Sequence, residues 1–85
     1  MDTTHRNQMR LMAGYLMATV SIYRGSWTER PYSVVGEYSL TIEEAANQVC
    51  PPKAAAVVLA MLNHDWDKSI EWANATLDIT NVHLF

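Results

Sequence analysis

Nine consecutive apolar residues, Ala54 to Leu62, follow Pro51-Pro52-Lys53 and lead into a polar corner, Asn63-His64-Asp65. The run predicts a buried helix over about 53–62. Pro52 suits a first helical turn, where its missing N–H is harmless, and a helix apolar on all sides wants burial. Past the corner, Trp66 to Leu77 predicts an amphipathic helix, with Asn63 or Asp65 supplying the cap. With Trp66 as origin and ~100° per residue, Ser69, Ile70, Ala73 and Leu77 gather within about 60° of it as the core face. Trp72 falls about 120° away, near Lys68 and Ala75.

Upstream, Thr41-Ile42-Glu43-Glu44 has the form of a capping box and opens a helix over about 42–49. Pro51-Pro52 stops it, because a residue before proline is pushed out of helical space. A longer helix is predicted over about 4–24, with cap oxygens from Asp2-Thr3-Thr4 and Gly25 as its C-terminal stop. Met9, Met12, Leu16, Val20 and Tyr23 fall on one of its sides; Leu11, Tyr15, Ala18 and Ile22 fall nearly opposite. A narrow strip carries Arg6, Arg10, Gly14, Ser21 and Arg24, with Met17 among them. Two opposed apolar stripes require two neighbours. Either this helix is the central core helix, or Leu11, Tyr15, Ala18 and Ile22 form a seam for a second copy, a homodimer, or for another protein.

Residues 25–40 form a connection punctuated by Gly25, Ser26, Pro31, Ser33 and Gly36. Within it, Tyr32 to Tyr38 predicts a short strand that pairs with Val82-His83-Leu84-Phe85 of the tail, residues 78–85. The fold class expected is therefore mainly α: one small domain over 1–85, a bundle of about four helices with a minor two-stranded element. Its expected core is Leu16, Val20, Ile42, Val57, Leu59, Leu62, Trp66, Ile70 and Leu77.

At 85 residues with 49% hydrophobic content, the chain is long enough for one modest core and too apolar for disorder. Net charge is −3 and the pI near 5.4. Residues 1–30 hold Arg6, Arg10, Arg24 and Arg30 against Asp2 and Glu29. Residues 31–85 hold Lys53 and Lys68 against Glu37, Glu43, Glu44, Asp65, Asp67, Glu71 and Asp78. Nucleic-acid binders usually carry a basic patch and a high pI, so a partner with a basic surface is the more natural expectation. The single cysteine, Cys50, has no internal partner, which favours a cytoplasmic setting. Residues 11–23 faintly resemble the apolar part of a signal peptide, but no A-x-A site follows and the segment is expected to remain in the chain. It is too short to span a membrane.

Candidate chemistry is sparse. Cys50 with His64 or His5 lacks an orienting group and an oxyanion motif, and a lone cysteine is usually a small buried hydrophobe. Asn63-His64-Asp65-Trp66-Asp67 offers ligand-type groups without the glycine and closing glutamate of a calcium loop or the spacing of a zinc site. Helix capping accounts for the same residues. No catalytic residue, metal or cofactor is expected, and the chain is read as a non-enzyme. Residues 41–62 have the outline of a helix-turn-helix, with Ala46 at the small position and Cys50 at the usual glycine. Its second helix would present one charge, Lys53, to base edges.

Leu59 to Trp72 resembles the last two helices of ubiquitin-associated (UBA) and related three-helix domains, including the N-terminal module of elongation factor Ts. The pattern is an apolar helix, an Asn/Asp corner, then an apolar-x-x-small-aliphatic-x-aromatic helix, here Asp65 followed by Trp66, Ser69, Ile70 and Trp72. With 42–49 as first helix, the resemblance spans residues 41–77 and implies a three-helix bundle. The family's Met-Gly-aromatic turn is replaced by Gln48-Val49-Cys50-Pro51-Pro52, so the bundle carries over and the ubiquitin contact does not.

The function expected is non-enzymatic protein binding. In size, acidity and aromatic and Met content the chain is similar to small inhibitors carried by phages and mobile elements, anti-CRISPR proteins among them. These would act by steric blocking of a basic surface on a larger protein or ribonucleoprotein assembly. The expected contact residues are Trp72 as anchor, since tryptophan is enriched in hot spots, with Asp67, Glu71, Asp78 and Lys68 around it. The alternative reading is a small nucleic-acid-associated regulator using segment 41–62.

Overall fold

The computed structural model describes residues 3–28 and 40–77. Four helices account for the regular structure there: α1 (Thr3–Thr28), α2 (Ile42–Val49), α3 (Pro52–His64) and α4 (Trp66–Leu77). The chain is thus a small helical domain, as its apolar periodicity predicts. The expected strands, 32–38 and 82–85, lie outside the described residues.

Each short helix begins where local chemistry says it should. Thr41 Oγ1 accepts the Glu44 N–H at 3.1 Å, and Glu44 Oε1 accepts the Thr41 N–H at 2.8 Å. This is a reciprocal capping box, which satisfies two orphan donors of the first turn. Pro52 occupies the first turn of α3. Asp65 serves both sides of the α3–α4 corner. Its N–H donates to the Met61 carbonyl at 3.0 Å, closing α3, and its Oδ1 accepts the Lys68 N–H at 3.0 Å, opening α4. Ser69 Oγ donates to the same Met61 carbonyl at 2.8 Å and locks the hairpin.

α1 is the centre of the bundle, packed chiefly against α4 and α2, with α3 completing the enclosure. It runs antiparallel to α4. Near its C-terminus the Tyr23 ring meets Trp66 edge-on at 5.9 Å, with the Arg24 guanidinium 5.9 Å from the Trp66 centroid. Toward its N-terminus Arg6, Met9 and Arg10 neighbour Ala75 and Thr76. The core gathers Ala13, Leu16, Met17 and Val20 of α1 with Ala46, Cys50, Ala54, Ala55, Val58, Leu62 and Ala73.

Several expectations need correction. α1 does not stop at Gly25 but continues to Thr28. An isolated glycine inside a helix costs only about 1 kcal/mol relative to alanine, too little to end a helix whose Tyr23 and Arg24, just before it, are held on Trp66. Met17, assigned to the polar strip, is 2% exposed, because α1 is covered on more than one side. Val57, expected in the core, is 49% exposed, and its neighbour Val58 is buried in its place. α3 is consequently half-open: Ala56, Val57 and Ala60 face outward. Of the remaining core expectations, Leu16, Val20 and Leu62 are buried, while Ile42, Leu59, Trp66, Ile70 and Leu77 are half-buried against that core.

Candidate protein-binding groove

The outer surface of the bundle is not uniformly polar. Met9, Leu11 and Val57 are large apolar side chains left exposed, at 36%, 56% and 49%. Two of them border one groove. The N-terminal half of α1 supplies His5, Gln8, Met9 and Met12; α3 supplies Val57 and Met61; α4 supplies Trp72. Together they bound about 270 Å³ of open, predominantly apolar space.

Local helical geometry explains the set. His5, Gln8, Met9 and Met12 recur at three- and four-residue spacing, so they form one stripe on α1. Val57 and Met61 stand one turn apart on α3, on the flank of the buried line Ala54–Val58–Leu62. Trp72 is half-buried and packs against the core, so it spans the space between core and groove. Three flexible thioethers beside an indole make an adaptable apolar surface, since methionine fills irregular gaps and contacts aromatic rings favourably.

A second depression adjoins the first through Met9. Arg6, Met9, Arg10, Ala75 and Thr76 line it, around about 340 Å³. Among the described residues no carboxylate lines either one.

The expected contact residues divide. Trp72 lies in the groove, whereas Asp67, Lys68 and Glu71 are exposed on α4 and do not line it. Asp78 lies outside the described residues. Of the expected self-association seam, Leu11 is exposed and Tyr15, Ala18 and Ile22 are half-buried. Met9, Met12, Val57 and Met61 were not expected in a site. The sequence signal for them was present in the apolar stripe of α1 that runs from Met9 and Met12 to Leu16, Val20 and Tyr23, and in the unphased run of α3, but neither stripe names the other.

Elsewhere the polar chemistry is internal. Cys50 is buried, and its thiol lies 3.4 Å from Thr19 Oγ1. Thr19 Oγ1 donates to the Tyr15 carbonyl at 2.8 Å, so the thiol proton points to the Thr19 oxygen or to the same carbonyl, 3.9 Å away. Cys50 is therefore stitched to α1 rather than presented outward. Among the described residues no cluster of three or more His, Cys, Asp or Glu side chains is placed to hold a metal ion, and no helix is long and apolar enough to cross a membrane.

The groove lies below the ~300–1,000 Å³ typical of small-molecule pockets and lacks their convergent polar groups. No family model matches the chain, and neither a curated protein nor a solved structure matches it.

Proposed function

We propose that this chain is a non-enzymatic protein-binding module whose contact surface is the α1–α3–α4 groove, with Trp72 as its fixed floor. The observation that carries the reading is the convergence of Met9, Met12, Val57, Met61 and Trp72 on one open concavity in so small a protein. Aromatic and methionine side chains are enriched at interface cores, and anchors of that kind in pockets supply most binding energy. The buried Cys50, tied to Thr19, supports the non-enzymatic half of the reading.

The wider reading, a phage- or mobile-element-type inhibitor that blocks a larger assembly sterically, rests on size, charge and aromatic content. The exposed Glu43, Glu44, Asp67 and Glu71 support a partner whose flanking surface is basic. Self-association through α1 is the weaker proposal, since of its four seam residues only Leu11 is exposed. The nucleic-acid reading is weaker again: the outward face of α3 offers Lys53, Ala56, Val57, Ala60, Asn63 and His64, mostly groups that cannot read base edges.

The test is a tagged pull-down from cells of the encoding organism, with wild type and Val57→Glu side by side. The expected result is a protein retained by wild type and lost by the variant while helical circular dichroism is unchanged. That protein, made recombinantly, should shift the methyl resonances of Met9, Met12 and Met61 and leave Met17 in place. A partner held equally by both chains, shifting none of these methyls, would remove the groove from the function.

A further inference from the structure

Three of the chain's five methionines, Met9, Met12 and Met61, line one groove, and a histidine lines it with them. His5, Met9 and Met12 stand at i, i+4 and i+7, so one face of α1 carries an imidazole and two thioethers about a turn apart. Met61 brings a third thioether from α3, and Trp72 brings an indole from α4. His5 and Met9 are exposed, and Met12 and Met61 are half-buried, so a solute can reach each of these donors. Imidazole nitrogen and thioether sulfur are both ligands for soft metal ions. His, Cys, Asp and Glu side chains form no such cluster among the described residues, but methionine stands outside that set.

We propose that the groove binds a soft monovalent cation, Cu(I), through His5, Met9, Met12 and Met61, with Trp72 beside it. This goes beyond the protein-binding reading and requires no partner. Thioethers select Cu(I), whereas magnesium, calcium and manganese ions suit carboxylate, carbonyl and water oxygens. Gln8 is the one side chain of the described lining that holds an oxygen. All four donors are neutral when they bind, so the ion keeps its charge in the site. Holding a single charge against apolar walls costs far less than holding a double one. Trp72 offsets part of that cost, because an indole face attracts a cation. Methionine's three rotatable bonds let sulfurs from two helices turn toward one ion while the helices stay in place.

The test titrates Cu(I) alone, without oxygen and against a chromogenic Cu(I) chelator, into the full chain carrying 13C-labelled methionine methyls. One equivalent is expected to move the methyls of Met9, Met12 and Met61 and the ring resonances of His5, and to leave the buried Met17 in place. Met9→Leu and Met61→Leu conserve volume, so the fold should stand. Each should weaken Cu(I) at least by the ~10–100-fold that follows loss of a group that only orients a ligand. His5→Ala, at an exposed position, should weaken it as well. Cys50 is the chain's thiol, buried against Thr19 and outside the groove, so Cys50→Ala should keep the wild-type Cu(I) affinity along with its helical circular dichroism. Loss of binding in a folded Cys50→Ala would make the thiol the site and overturn the proposal. So would full affinity in the Met9→Leu/Met61→Leu double variant, a zinc ion held as tightly as Cu(I), or groove methyls that one equivalent leaves unmoved. The leucine variants keep the groove apolar, so a protein partner should be retained where the metal is lost, and the two readings fail separately.

Discussion

The two sides of α1 are built on different principles. Toward α2, the contact is made from small groups: Ala45, Ala46 and Cys50 are buried, and the fully buried Thr19 meets the Cys50 thiol at 3.4 Å. Small side chains let the helices approach closely, and close packing is what makes such a seam stable. Toward α3 and the second half of α4, the contact is made from Met9, Met12, Met61, Val57 and Trp72, and open space remains. One side commits its apolar surface to the fold, and the other leaves part of it uncovered by the described residues. Substitutions on the first side should therefore read out as stability, and on the second as binding.

The largest effect expected is in the shared core. Leu16 is fully buried, and Leu16→Ala should destabilise by about 2–5 kcal/mol, the range for deleting a buried leucine. In a domain of ordinary marginal stability that approaches global unfolding. Urea denaturation followed by circular dichroism measures it. A loss below about 1 kcal/mol would mean the bundle relaxes into the cavity and is less tightly packed than its burial says.

The seam between α1 and α2 is tested by adding volume. Ala46 is fully buried, so Ala46→Leu should cost about 1–3 kcal/mol by overpacking. Met61→Leu, a volume-conserving change at the groove, should cost under about 1.5 kcal/mol. Similar losses in the two variants, measured by the same denaturation midpoint, would erase the distinction between a closed and an open side.

A smaller effect belongs to the corner that holds α3 against α4. Asp65→Ala removes the oxygen that accepts the Lys68 N–H and should cost about 1 kcal/mol. Ser69 still ties α4 to the Met61 carbonyl, so the hairpin should keep its geometry. Thermal unfolding would show a lowered midpoint with native helical content; loss of helix before the main transition would mean that Asp65 alone holds the joint.

What was legible in the sequence follows the range of the interaction. Thr41 with Glu44, Pro52 and Asp65 announce helix ends because each cap is settled within four residues. Leu16 and Val20 were legible because their periodicity has a phase. The nine-residue run of α3 has none: every position is apolar, so nothing local says that Val58 turns inward and Val57 outward. Met17 failed for the converse reason, since its strip is polar in sequence and the neighbours that cover it come from distant segments. The groove was illegible as a groove. Its apolar stripes could be read helix by helix, but the gap between α1 and α3 depends on how three helices meet, and Trp72 was seen as an anchor without the methionines beside it.

The smallest expected effect is the one on which the comparison turns. Val57→Glu places a charge at the rim of the groove, at a position 49% exposed. Surface substitutions away from special features usually change stability by less than about 0.5 kcal/mol. Glutamate is also a better helix former than valine, so the sign should be neutral to slightly stabilising. It stands one turn after Lys53, where an i,i+4 pair contributes at most about 0.3–0.5 kcal/mol. The variant should thus melt with wild type while losing whatever the groove holds, because a carboxylate placed there must be desolvated against Met61 and Trp72 when a partner's apolar side chains arrive. A destabilisation above about 1 kcal/mol would say instead that Val57 is covered in solution, that the concavity is part of the core, and that the open side of α1 is closed after all.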